Sequence, residues 1–191
     1  NKNNFINDIL VKKQENEIQL ISNQFDISSI IEDSLKKTKK TNFLNIFESL
    51  NSPVKMNIKL AKLDDEHQLK NLSGNIEIKK NKFVSSNLSG AYDSKNKFIY
   101  KRDKIDGKKI TIIFSDLAKP FVKKFNFIKG FEDGKLDYTS TEINENLSKS
   151  ELRIYDFKLQ DMPALTKLLS LASLQGIADL ATGQGIRFNE F

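Results

Sequence analysis

Val54-Lys55-Met56-Asn57-Ile58-Lys59-Leu60 alternates apolar and polar side chains without a break. Successive side chains of an extended strand point to opposite faces, so a period of two gives this segment one dry face and one wet face. The same alternation returns in Leu72, Gly74, Ile76 and Ile78 against Ser73, Asn75, Glu77 and Lys79. It is weaker in Val84, Ser86, Leu88, Gly90 and Tyr92, and recurs in Phe98-Ile99-Tyr100 and in Ile110, Ile112 and Phe114. Asp106-Gly107, between the last two, is a two-residue hairpin signal, because both residues tolerate positive φ. Repeated one-faced strands joined by short turns predict an antiparallel sheet.

Toward the N-terminus, Phe5 to Val11 and Glu17 to Gln24 read as strands flanking the polar turn Gln14-Glu15-Asn16, which together make a hairpin. Asp26 or Ser28 is placed to cap a short helix carrying Ile30, Ile31 and Leu35, at about residues 28 to 36. Phe43 to Leu50 is either a helical turn or a loop packed on the sheet. Toward the C-terminus, Ser115 to Pro120 reads as a capped helix start with proline in the first turn. Leu117, Phe121 and Phe125, with Ala118 and Val122, form an apolar helical stripe.

Beyond Gly130, Phe131 to Tyr138 and Leu152 to Leu159 read as an antiparallel pair joined by a polar loop, Ser140 to Ser150. Asp161-Met162-Pro163 then opens a segment that is apolar nearly all round as far as Ala181. Gly176 and its polar residues argue against a bilayer span, so protein or lipid must bury it. Gly183 and Gly185 stop it, and Ile186 and Phe188 restart an alternating strand.

Composition narrows the chemistry. No cysteine is present, which excludes disulfides, thiolate metal sites and cysteine nucleophiles. The single histidine, His67, sits in Asp64-Asp65-Glu66-His67 and reads as part of a solvated turn rather than a metal site. One histidine and no nucleophile-elbow serine leave no usual triad. Gly183-Gln184-Gly185 follows a helix and so lacks the strand-to-helix context of a phosphate loop. The acid pairs Asp64-Asp65 and Glu132-Asp133 fall in turn-like stretches. The net charge of +6 is spread along the chain, and the phenylalanines lie inside apolar patterns, which disfavours nucleic-acid binding.

The expected fold is therefore mainly β with short helices: a curved, open, antiparallel sheet forming a groove, with helices packed at its edge or end. Residues 1–50 are the hairpin plus helix, and 53–160 the sheet with a helix at about 116–128. Residues 161–185 are an apolar helix pair, and 186–191 the start of the next strand. The chain begins Asn1-Lys2-Asn3, without initiator Met or signal peptide, and stops in mid-pattern at Asn189-Glu190-Phe191. It is expected to be one segment of a longer protein.

The block Leu152-Arg153-Ile154-Tyr155-Asp156-Phe157-Lys158-Leu159-Gln160-Asp161-Met162-Pro163-Ala164-Leu165, with Leu168 to Ile177 and Gly183-Gln184-Gly185-Ile186-Arg187-Phe188, resembles the C-terminal region of AsmA-like proteins. It is most similar to the YhdP-like branch, in which a strand, a proline-started apolar helix pair and a G-x-G-I-x-F restart recur in this order. The resemblance implies the periplasmic portion of an inner-membrane-anchored protein of a Gram-negative envelope. Its implied function is phospholipid passage between inner and outer membranes and outer-membrane integrity, with no catalytic residue and no cofactor.

Expected partners are phospholipid, the membrane through an anchor outside this segment, and envelope proteins, with no nucleic acid. The expected lipid-binding residues are Val54, Met56, Ile58, Leu60, Ile76, Ile78, Ile110, Ile112 and Phe114. They are groove lining or sealed core, since alternation says only that a face is dry. The alternative is a scaffold that binds envelope proteins without carrying lipid.

Overall fold

A computed structural model describes residues 7–28, 52–79, 82–123, 130–144, 147–159 and 186–190. Its strands are β1 (Leu10–Lys13), β2 (Ile18–Asp26), β3 (Val54–Lys62), β4 (Gln68–Lys79), β5 (Lys82–Ala91), β6 (Lys97–Ile105), β7 (Lys108–Ser115), β8 (Phe131–Asn144), β9 (Leu147–Leu159) and β10 (Ile186–Glu190). One four-residue helix, α1 (Lys119–Val122), lies between β7 and β8. The strands form one open ten-stranded sheet whose order is the order of the chain.

The sheet is mixed rather than wholly antiparallel. β1 and β2 make the expected hairpin, with Lys13 opposite Ile18. β2 and β3, however, run parallel, from Ile18 opposite Val54 to Asp26 opposite Lys62. A parallel pair needs a connection of about a dozen residues or more, and residues 27–53 supply one. The helix expected at 28–36 and the segment Phe43 to Leu50 lie almost wholly outside the described residues, as does the helix pair of 161–185.

Contacts gather the chain into two compact units, Asn1–Phe114 with Tyr138–Glu151, and Ser115–Asp137 with Leu152–Phe191. In the first, strand register aligns apolar residues in rows. One row runs Ile18, Val54, Ile76, Ser86 and Arg102 across β2 to β6, and the next runs Leu20, Met56, Gly74, Leu88 and Tyr100. Beyond Leu60 the buried positions shift by one residue while staying on the same face: the register partners Phe25, Ala61 and Leu69 are all buried, and a Cβ added to Gly90, in phase with Leu88, would meet the Leu69 Cβ at 3.5 Å. The cause lies beside it: Asn71 takes a positive φ of 51°, and the β4–β5 register shifts between Lys70 and Ser73. An extra residue of this kind bends a strand and increases its twist.

Three turns follow sequence rules. Asp106 and Gly107 have φ of 51° and 80°, as the β6–β7 hairpin requires. The β3–β4 and β5–β6 loops share one design. Asp64 Oδ1 accepts from the Glu66 and His67 amides, and Asp93 Oδ1 accepts from those of Lys95 and Asn96, each at 2.8–2.9 Å. The residue before each aspartate, Leu63 or Tyr92, is buried. These bonds are strongest with charged carboxylates. At Asp64 burial pushes the pKa up, and the Glu66 amide and His67 outweigh it, holding the carboxyl low; at Asp93 the Lys95 and Asn96 amides hold it low.

At the sheet edge, Asp8 accepts from the Gln24 and Asn23 amides, the Asn23 side chain and Ser22 Oγ, which brings it to about 2. A depressed folded value means the unfolded chain binds more protons in the window between the two, so these groups stabilise above about pH 4 and lose that contribution as pH falls through their folded values. The denaturant midpoint is expected to be flat from neutral to about pH 5 and to drop below about pH 4. Asp8→Asn should speed amide exchange in β1 at neutral pH, where a midpoint and exchange pattern indifferent to acid and to the substitution would contradict the account.

In the second unit Ser115 does not cap a helix. Its buried hydroxyl donates to the Leu117 carbonyl at 2.7 Å and closes a turn, and α1 begins after Ala118 with Pro120 in its first turn, as the sequence predicts. The continuation of that helix toward residue 128 falls outside the described residues. The Phe131 and Phe157 rings stack at 5.1 Å. Asp133, Gly134 and Asp156 all have positive φ within β8 and β9.

The polar loop expected at Ser140 to Ser150 is mostly strand, since β8 runs to Asn144 and β9 begins at Leu147. Its hydroxyls pair across the strands, Ser150 Oγ to Ser140 Oγ at 2.9 Å and to Tyr138 OH at 3.2 Å. A polar but β-tolerant run therefore extends the ladder. β10 pairs antiparallel with β9, Ile186 opposite Leu159, as the restarted alternation predicts.

Candidate functional site: the apolar face of β2 to β7

The nine sequence-predicted residues divide into three groups. Val54, Met56, Ile58, Ile76 and Ile78 share the apolar face and are between 1% and 5% exposed, so they are core. Leu60 is half-buried beside exposed Lys70, its register partner. Ile110, Ile112 and Phe114 do not join that face. In β7 the buried positions are Ile113 and Ser115, whereas Ile112 is 39% exposed and Ile110 and Phe114 are half-buried.

The physical reason is the Asp106–Gly107 turn. A two-residue turn pairs Ile105 with Lys108, and counting back from it sets Ile113 beside Tyr100. Three consecutive apolar residues, Ile112-Ile113-Phe114, fit either phase by alternation, and the turn selects one.

The row Leu20, Met56, Gly74, Leu88 and Tyr100 is the part of the apolar face that reaches solvent. Leu20, Leu88 and Tyr100 are half-buried, while Met56 between them is buried and Gly74 has no side chain. The flanking row is sealed at Ile18, Val54 and Ile76. Alternation within a single strand does not mark Leu20 or Tyr100 as site residues, and Leu88 lies only in a weak alternation. Their signal is the register linking them to Met56, which no single strand displays.

This surface is apolar with little to do chemistry. Ser86 Oγ is buried without a hydrogen-bond partner among the described residues. No group of three or more His, Asp or Glu that could hold a metal occurs among the described residues. Of the two acid pairs, Asp64 and Asp65 diverge: Asp64 is bound into its own turn with His67 Nδ1 at 2.9 Å, and Asp65 meets Lys62 at 2.8 Å. Asp133 meets Lys158 at 3.3 Å. No helix among the described residues is long and apolar enough to cross a membrane. Compared with family models, curated proteins and solved structures, the chain matches none of them.

Proposed function

We propose that this chain is a non-enzymatic segment of a cell-envelope protein that contributes an apolar β surface for phospholipid transport between inner and outer membranes. The observation that carries the reading is the partly accessible row Leu20, Leu88 and Tyr100 beside a row sealed at Ile18, Val54 and Ile76, on the apolar face of an open sheet. Acyl chains laid along such a row leave water at about 0.8 kcal/mol per buried methylene, while headgroups stay hydrated. The likeness of residues 152–188 to AsmA-like proteins supports the same reading, in which the segment is periplasmic and anchored to the inner membrane from outside this chain. No cofactor and no nucleic acid enters it.

Native mass spectrometry of the purified chain should show bound phospholipid, and the protein should move fluorescent phospholipid between vesicles. Leu88→Gln, at a half-buried position, is expected to keep the fold and to lower lipid occupancy by about tenfold, roughly the effect of withdrawing two buried methylenes. Empty wild-type protein with no transfer would sink the proposal.

The second reading is a scaffold for envelope proteins. β1 favours it, since it is the edge strand among the described residues, all four of its residues are exposed, and an edge strand can accept an added strand. It predicts full function with no lipid bound.

A further inference from the structure

The hairpin tips of the first unit carry a second apolar surface, on the face opposite the core. Ile105, Ile143 and Leu147 are 50%, 56% and 52% exposed, and Ile112 lies behind them. Alternation sets all four on one side. Ile105 is out of phase with buried Phe98, Ile112 with buried Ile113 and Ile143 with buried Tyr138. Leu147 is out of phase with Ser150, which bonds to Ser140 on Tyr138's side.

Lys109 Nζ reaches Glu142 at 3.3 Å, which sets the β8 end beside the β6–β7 hairpin. Ile105, Lys108, Ile143 and Leu147 thus fall on one face at the ends of four neighbouring strands, which span about 15 Å at ordinary strand spacing.

Charge identifies the occupant. Residues 101–109 hold five basic side chains against two acidic ones, Asp103 and Asp106, and Lys101, Lys104 and Lys108 are exposed. Glu142 is taken up by Lys109, and exposed Lys149 follows Leu147, with Glu151 two residues further on. Isolated aliphatic tips separated by long cationic side chains fit a water–lipid boundary: the isoleucines enter the acyl region and the lysines extend to anionic headgroups. A folded protein partner would instead call for a contiguous apolar centre with charge confined to the rim.

We infer that the β6–β7 and β8–β9 hairpin tips dock this unit onto an anionic phospholipid bilayer. The inference does not rest on lipid carriage, because it uses the opposite face of the sheet.

The test is co-sedimentation of the full chain with phosphatidylcholine vesicles, with and without phosphatidylglycerol. Wild type is expected to pellet with the anionic vesicles and to be released by salt. The double variant Ile105→Asp/Ile143→Asp, at exposed positions, should melt like wild type and bind at least about tenfold more weakly. Lys101→Gln/Lys108→Gln, at exposed positions in phase with Ile105 and Ile112, should lose the preference for phosphatidylglycerol. Equal pelleting of either variant, equal binding to neutral vesicles, or no binding by wild type overturns the proposal. A concentration-dependent dimer lost in the isoleucine variant, with no vesicle binding, makes this an interface between copies and also overturns it. Co-purified lipid measured on the same isoleucine variant should be unchanged, so docking and carriage can fail separately.

Discussion

Gly74→Ala is expected to remove about 4 kcal/mol or more of stability, enough to leave a domain of ordinary stability largely unfolded. Gly74 has a φ of 149°, and a Cβ added there would sit 1.9 Å from the Asn87 carbonyl oxygen. The obstacle is backbone of β5, held by its own ladder on both sides, so relief requires parting β4 from β5 at the centre of the apolar face. Gly107 is the control. Its φ is 80°, yet nothing lies within 4 Å of an added Cβ, so Gly107→Ala incurs only the left-handed strain of about 1–2 kcal/mol. Chemical denaturation of the two variants checks this, and similar losses at both positions would contradict the close approach at Gly74.

Ile58→Asp and Ile112→Asp should separate just as widely. Both residues read as inward-facing from alternation, but Ile58 is 3% exposed and Ile112 39%. A carboxylate at Ile58, flanked in register by Leu72 on β4, must be desolvated without a cationic partner. The expected loss is about 4–5 kcal/mol, with the residual folded population increasing at acid pH as the new carboxyl takes a proton. At Ile112 the side chain stays in water, and the change is expected within about 1 kcal/mol, mostly strand propensity. Melting curves of both variants decide the matter; a cooperative, near-wild-type melt for Ile58→Asp would mean that this face is open rather than sealed.

These two pairs also mark where sequence reading reaches its limit. Alternation around Val54 to Leu60 identifies a strand and its dry face because the period of side-chain direction is local. The Asp106–Gly107 turn is equally local, since its dihedral angles follow from residues that accept positive φ. The inward face of β7 is not local: Ile112-Ile113-Phe114 is ambiguous until the turn fixes register with β6. The positive-φ residues Asn71, Asp133 and Asp156 inside β4, β8 and β9 are likewise invisible in sequence, where an isolated Asn or Asp in a polar stretch reads as a turn.

By itself, then, the sequence determined a mainly β chain of one-faced strands, the positions of its tight turns, and the absence of cysteine chemistry, because each depends on residue type and near neighbours. Tertiary structure alone decided that β2 and β3 run parallel, that Val54, Met56, Ile58, Ile76 and Ile78 are sealed while Leu20, Leu88 and Tyr100 reach solvent, and that the isoleucines at the hairpin tips share the outer face. Those outcomes depend on which strands become neighbours and in what register, and pairing energy between residues distant in the chain is not written in any one segment.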